Sequence, residues 1–126
     1  MRQLIAFALI LCLAGCKKDK IDPHQAILGK WDEFYLGNGE YRPPIKNPSA
    51  YWHFLPDSVL LEYEYATKKT WHKKYWIDTL LHIGIPRGDG YLLRFDYECR
   101  FEADTLRLYW VNASPQFSVS KWKRIH

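Results

Sequence analysis

The stretch Gly90-Tyr91-Leu92-Leu93-Arg94-Phe95-Asp96-Tyr97-Glu98-Cys99-Arg100-Phe101 decides the fold. Side chains alternate across an extended chain with a period of two. Tyr91, Leu93, Phe95, Tyr97, Cys99 and Phe101 therefore share one side, and Leu92, Arg94, Asp96, Glu98 and Arg100 the other. One side is apolar and the other mostly charged, the pattern of an antiparallel sheet with one wet face. Two further runs repeat it. Val59, Leu61, Tyr63 and Tyr65 alternate with Leu60, Glu62 and Glu64, and Leu106, Leu108 and Trp110 alternate with Arg107 and Tyr109.

Between such runs the punctuation recurs. Asp57-Ser58, Asp78-Thr79 and Asp104-Thr105 each separate two strand patterns. An Asp or Ser/Thr side chain can bond the backbone a residue or two on, which favours a tight reversal. Lys68-Lys69-Thr70 and Pro86-Arg87-Gly88-Asp89-Gly90 supply two more turns. The Arg87-Gly88-Asp89 tripeptide is read as part of a turn and not as an adhesion signal.

Working outward gives eight strands, near 29–36, 50–55, 58–67, 70–77, 79–85, 90–101, 105–111 and 117–125. The one long connection, Gly37 to Ser49, holds Gly37, Gly39, Pro43, Pro44 and Pro48 and forms no regular element. Closing eight short-linked strands removes unpaired edges. The expected fold is all-β: an eight-stranded antiparallel up-and-down β-barrel with a short N-terminal helical turn. A bore of that size is filled by side chains or holds one small ligand. The chain of 126 residues fits one domain, and its 17% aromatic residues favour strands. A net charge of +4 without a dense basic stripe points away from nucleic acid. A membrane-spanning barrel is not expected either, because the strands are short and the face opposite the aromatics is charged.

Residues 1–15 read as a secretory signal. Arg2 is their only charge, and the apolar run from Leu4 to Ala14 is too short to span a bilayer. The closing Leu13-Ala14-Gly15-Cys16 resembles the lipobox of bacterial lipoproteins. That resemblance implies cleavage before Cys16, a diacylglycerol on its thiol and acylation of the new amine. It also implies a lipid bilayer as partner and a place in the bacterial envelope, with the outer membrane expected and its face left open. Residues 16–26, including Lys17, Lys18 and Lys20, form the expected tether, and 27–126 the barrel domain. Cys12 leaves with the signal and Cys16 carries lipid, so Cys99 has no disulfide partner within the chain. An apolar strand context makes Cys99 a buried hydrophobe rather than a nucleophile.

Asp22 can cap a helical turn with Pro23 at its first position, and His24 to Leu28 follow. Gly29-Lys30-Trp31 then opens the first strand, and Lys121-Trp122-Lys123-Arg124-Ile125 closes the last. This combination resembles the lipocalins, and most nearly the small bacterial lipocalin-like lipoproteins. The resemblance covers roughly residues 27–125 and lacks a Thr-Asp-Tyr type motif and a long C-terminal helix. It implies that Gly29, Trp31 and Arg124 form a structural motif in which Arg124 lies over the Trp31 ring, with Lys123 as the second choice. A guanidinium over an indole gains ~0.5–2 kcal/mol.

Sites of chemistry are sparse. His53, His72 and His82 lack metal-ligand spacing and are read as half-exposed strand histidines, so no metal or other cofactor is expected. No nucleophile motif or phosphate loop occurs, and no enzyme is expected. Glu62 and Glu64 are read as a solvated face, and Lys68, Lys69, Lys73 and Lys74 around Trp71 as a charged strand end. Placing the aromatic side inward makes Tyr63, Tyr65, Phe95, Tyr97 and Trp110 the candidates to touch a small hydrophobic ligand. The same rings can instead fill the bore, which is the favoured packing. The chain would then be a monomeric envelope structural or interaction protein working through its outer surface and the Gly37–Ser49 loop. A cavity of about 300 Å³ or more separates the two readings.

Overall fold

The computed structural model describes residues 20–112 and 115–126. A helical turn, α1 (Pro23–Ala26), precedes eight strands: β1 (Gly29–Gly37), β2 (Ala50–Phe54), β3 (Val59–Glu64), β4 (Thr70–Ile77), β5 (Leu81–Pro86), β6 (Leu92–Glu102), β7 (Thr105–Trp110) and β8 (Val119–Ile125). They form a closed barrel in sequence order, each antiparallel to the next, with β8 returning to β1. The eight-stranded up-and-down barrel is therefore the fold.

The turns sort by end. In an up-and-down barrel alternate connections fall at opposite ends. The three Asp-Ser/Thr reversals join β2 to β3, β4 to β5 and β6 to β7, so all three lie at one end, beside α1. Asp78 accepts from Leu80 N–H at 2.9 Å there. Ser58 and Ala103 take positive φ of 65° and 50°. The remaining connections lie at the other end. Among them is the long loop, tied down by Ile45 N–H to Phe34 O at 2.7 Å and by Tyr35, which donates to Glu40 O at 2.6 Å. At that end a short 3₁₀ turn (Pro115–Phe117) also precedes β8, which starts at Val119 and not at the expected residue 117. The third strand stops at Glu64 instead of reaching residue 67. Lys68, at φ 56°, turns the chain, and Glu64 N–H pairs with Lys69 O at 2.9 Å.

Alternation and register fix the inner face. Phe54 pairs with Leu60 and Trp52 with Glu62, so Leu60, Glu62 and Glu64 turn inward on β3. This reverses the expected pleat of that strand: Tyr63 and Tyr65 lie outside, in a cluster with Tyr51 whose ring centroids are 5.0 and 5.7 Å from theirs. Tyr65 is 41% exposed and donates to Asp32 at 2.8 Å. On β6 and β7 the expected pleat holds. Tyr97 pairs with Leu81 and Trp110, and Phe95 with Ile83. The core gathers toward the α1 end around Ile27, Trp31, Phe54, Leu60, Leu81 and Leu106.

Candidate functional site

The α1 end is sealed. Asp22 caps the helical turn by accepting from His24 N–H at 3.0 Å. Trp31 is fully buried and donates Nε1–H to Ile27 O at 2.8 Å. Arg124, its register partner on β8, sets its guanidinium 4.2 Å from the Trp31 ring centroid. The same guanidinium donates to Leu28 O at 2.6 Å and Ala26 O at 2.7 Å, satisfying carbonyls left open where the helical turn ends. Gly29 makes room for this. Its φ is +115°, and a Cβ there would sit 2.8 Å from an Arg124 nitrogen. Gly29, Trp31 and Arg124 thus meet in one lock between the first and last strands.

The other end is open. A cavity of about 330 Å³ lies there, its lining including Trp52, Tyr97, Trp110, Phe117, Trp122, Glu33 and Glu62, together with Leu36, Ser49, Ala50 and Ser120. Its rings are ordered: Trp52 stacks on Trp122 at 4.2 Å, and Tyr97 lies 6.5 Å from Trp110. Of the aromatic residues expected to line the bore, Tyr97 and Trp110 do so. Phe95 faces inward against Trp110 at 5.5 Å but lies outside the lining, and Tyr63 and Tyr65 are on the outer surface.

Glu62 and Glu64 face the interior and not the solvated face expected for them. Glu62 accepts Trp52 Nε1–H at 2.7 Å and pairs with Lys73 at 3.3 Å. Lys73 itself turns inward from β4, opposite Leu60, and does not join the charged strand end assigned to it. Glu64 accepts from Trp71 at 2.9 Å and from Thr67 at 2.8 Å. Glu33 differs. Among the described residues its carboxylate has neither a hydrogen-bond donor nor a cation. Burial, with the nearby Glu62 charge adding to it, pushes its pKa from 4.5 up to about 7. Burial, followed by the Glu33 charge, also raises the Tyr97 hydroxyl to about 12. One signal in the sequence points to Glu33: it stands two residues after Trp31, on the same side of the strand.

On the outer wall His82 is only 8% exposed, not half-exposed as expected. Its Nδ1 meets Asp96 and its Nε2 meets Asp78 at 2.8 Å, while Trp76 stacks on the ring at 5.1 Å. The Asp96 hydrogen bond, helped by Asp78, raises its pKa against the effect of burial. Cys99 faces the core, and burial lifts its thiol to about 12, which removes thiolate reactivity at neutral pH. Among the described residues no group of three or more His, Cys, Asp or Glu is placed to hold a metal. Residues 1–15, Cys16 and the first part of the tether lie outside the described residues. The later part includes α1, which the Arg124 bond to Ala26 O ties to the barrel.

Compared with models of known protein families and with curated protein sequences, the chain matches none. The fold and the two barrel ends therefore carry the functional argument.

Proposed function

We propose that this chain is a lipocalin-like envelope lipoprotein, anchored through acylated Cys16, whose barrel holds a small ligand at its open end. The observation that carries the reading is the cavity of about 330 Å³ lined by five aromatic residues, Trp52, Tyr97, Trp110, Phe117 and Trp122. Ligand pockets of about 300–1,000 Å³ are typically lined by apolar and aromatic groups with a few placed polar ones. The lock of Gly29, Trp31 and Arg124 supports the family resemblance, since it closes one end and leaves the other as the entrance. The Leu13-Ala14-Gly15-Cys16 tetrapeptide supports the anchor.

Native mass spectrometry of the full chain, made in a bacterial host and released from lipid nanodiscs, tests both parts. The expected protein mass is that of an acylated chain starting at Cys16, carrying a small organic adduct. Ala50 lines the cavity, so Ala50→Trp should lose the adduct while keeping the acyl mass. An uncut, unacylated chain defeats the anchor. Equal adduct occupancy in both proteins, or none in either with aromatic probes added, defeats the carrier reading.

A further inference from the structure

The walls of the cavity specify more than apolar contact. Among the described residues its charged lining groups are Glu33 and Glu62. Glu62 is spoken for, by Lys73 at 3.3 Å and Trp52 Nε1–H at 2.7 Å. That leaves Glu33 as a partly buried carboxylate facing the cavity with no donor or cation among the described residues. A desolvated carboxylate without a partner is unfavourable, and a cation entering the cavity relieves that cost. Much of the remaining lining is aromatic, beside small and hydroxyl side chains, and the π-faces of Trp and Tyr attract ammonium groups. Among the described residues no Lys or Arg lines this cavity to compete for the carboxylate or to receive an anion. Lys73 is bonded to Glu62 at 3.3 Å and lies 5.7 Å from the Trp52 ring centroid, outside the lining.

We infer that the cavity takes a small organic cation, a primary or methylated ammonium on an apolar or aromatic body, with Glu33 as counter-ion and the rings of Trp52, Tyr97, Trp110 and Trp122 around the body. This inference rests on the carrier reading and names its ligand class. It replaces the purely hydrophobic ligand expected from the sequence with an amphipathic one, because a neutral hydrocarbon offers the Glu33 carboxyl neither a hydrogen bond nor a counter-charge.

Isothermal titration of the full chain in phosphatidylcholine nanodiscs, with empty nanodiscs as blank, separates the cases. Three probes of one shape differ in charge: 2-phenylethylamine, 2-phenylethanol and 3-phenylpropionate. The amine should bind about tenfold or more tighter than the alcohol, and the carboxylate weakest of the three. Glu33→Gln is nearly isosteric and removes the charge. It should bring amine and alcohol within about twofold of each other, whereas Ala50→Trp should weaken both. If the alcohol or the carboxylate binds as tightly as the amine, and Ala50→Trp abolishes that binding, the cation inference falls and the carrier reading stands. If the amine preference survives Glu33→Gln, Glu33 is not the counter-ion and the inference falls. If no probe binds the unmodified chain, both fall together.

Discussion

Gly29 carries no side chain, and that is its contribution. At φ +115° an L side chain is strained, and its Cβ would press on Arg124 at 2.8 Å. Gly29→Ala is expected to cost about 2–4 kcal/mol of stability, combining backbone strain with displacement of the guanidinium. Arg124→Lys keeps a charge but cannot span Leu28 O and Ala26 O while covering the Trp31 ring. It should cost about 1–2 kcal/mol, and Arg124→Ala about 2–4 kcal/mol. Urea unfolding curves of the three variants check the order, and an Arg124→Lys protein as stable as the parent would remove the lock from the account. Gly29 and Trp31 could be read from the sequence as a motif. The positive φ that makes glycine obligatory there could not, because it arises from the approach of a strand 95 residues away (from 29 to 124). Glu33 was hidden for a related reason: a charged residue on an amphipathic strand is assigned to water until the partner strands fix which way it faces.

At the scale of elements, legibility followed the contrast between strand faces. β6 could be oriented from its sequence because one side holds Phe95, Tyr97, Cys99 and Phe101 while the other is almost wholly charged. On β3 the contrast is poor. Leu60 stands with Glu62 and Glu64, and the rival face, Val59, Leu61 and Tyr63, is the greasier one. Pairing decided against hydropathy. Trp52 comes inward beside Trp31, and its indole N–H gives Glu62 an interior partner. The turns were readable because Asp-Ser and Asp-Thr reversals are local chemistry. The clasp between the β4–β5 hairpin and β6 was not, since Asp78, His82 and Asp96 meet only after three strands align. It makes a prediction at this scale. Asp78 holds the turn through Leu80 N–H and also meets His82, so removing the imidazole frees the hairpin tip from β6. His82→Ala should raise amide hydrogen exchange across Leu81–Pro86 well above the change at β1 and β8. Uniform change across the barrel would show that His82 only adds to global stability.

For the whole barrel, Glu33 and His82 push the dependence of stability on pH in the same direction, while His53, whose pKa is lowered by burial and then by the Lys30 charge, pushes the other way below about pH 6.5. His82 has a folded pKa above 6.5 because Asp96 and Asp78 favour its charged form. Its contribution is complete below about pH 6.5 and fades as pH rises through the folded value. Glu33 has a folded pKa of about 7 against 4.5. The folded state then holds a proton that the unfolded chain has released, so a penalty grows as pH rises from about 4.5 to about 7 and is full above that. Glu62 on β3 faces Glu33 and enlarges this effect, Lys73 on β4 is engaged with Glu62, and Tyr97 on β6 stays neutral across the range. The Glu33 penalty amounts to about 1–3 kcal/mol after allowance for solvent screening. The barrel is therefore expected to unfold at lower urea near pH 8 than near pH 6. Glu33→Gln should stabilise it near pH 8 and leave it nearly unchanged near pH 4. His82→Asn should destabilise it near pH 6 more than near pH 8. The two groups lie on opposite sides of the wall and share no partner, so the double variant should show the sum of both effects, leaving only the opposite dependence from His53. A parent protein more stable at the higher pH would contradict both assignments, and a profile flattened by Glu33→Gln alone would leave the cavity carboxylate as the sole source.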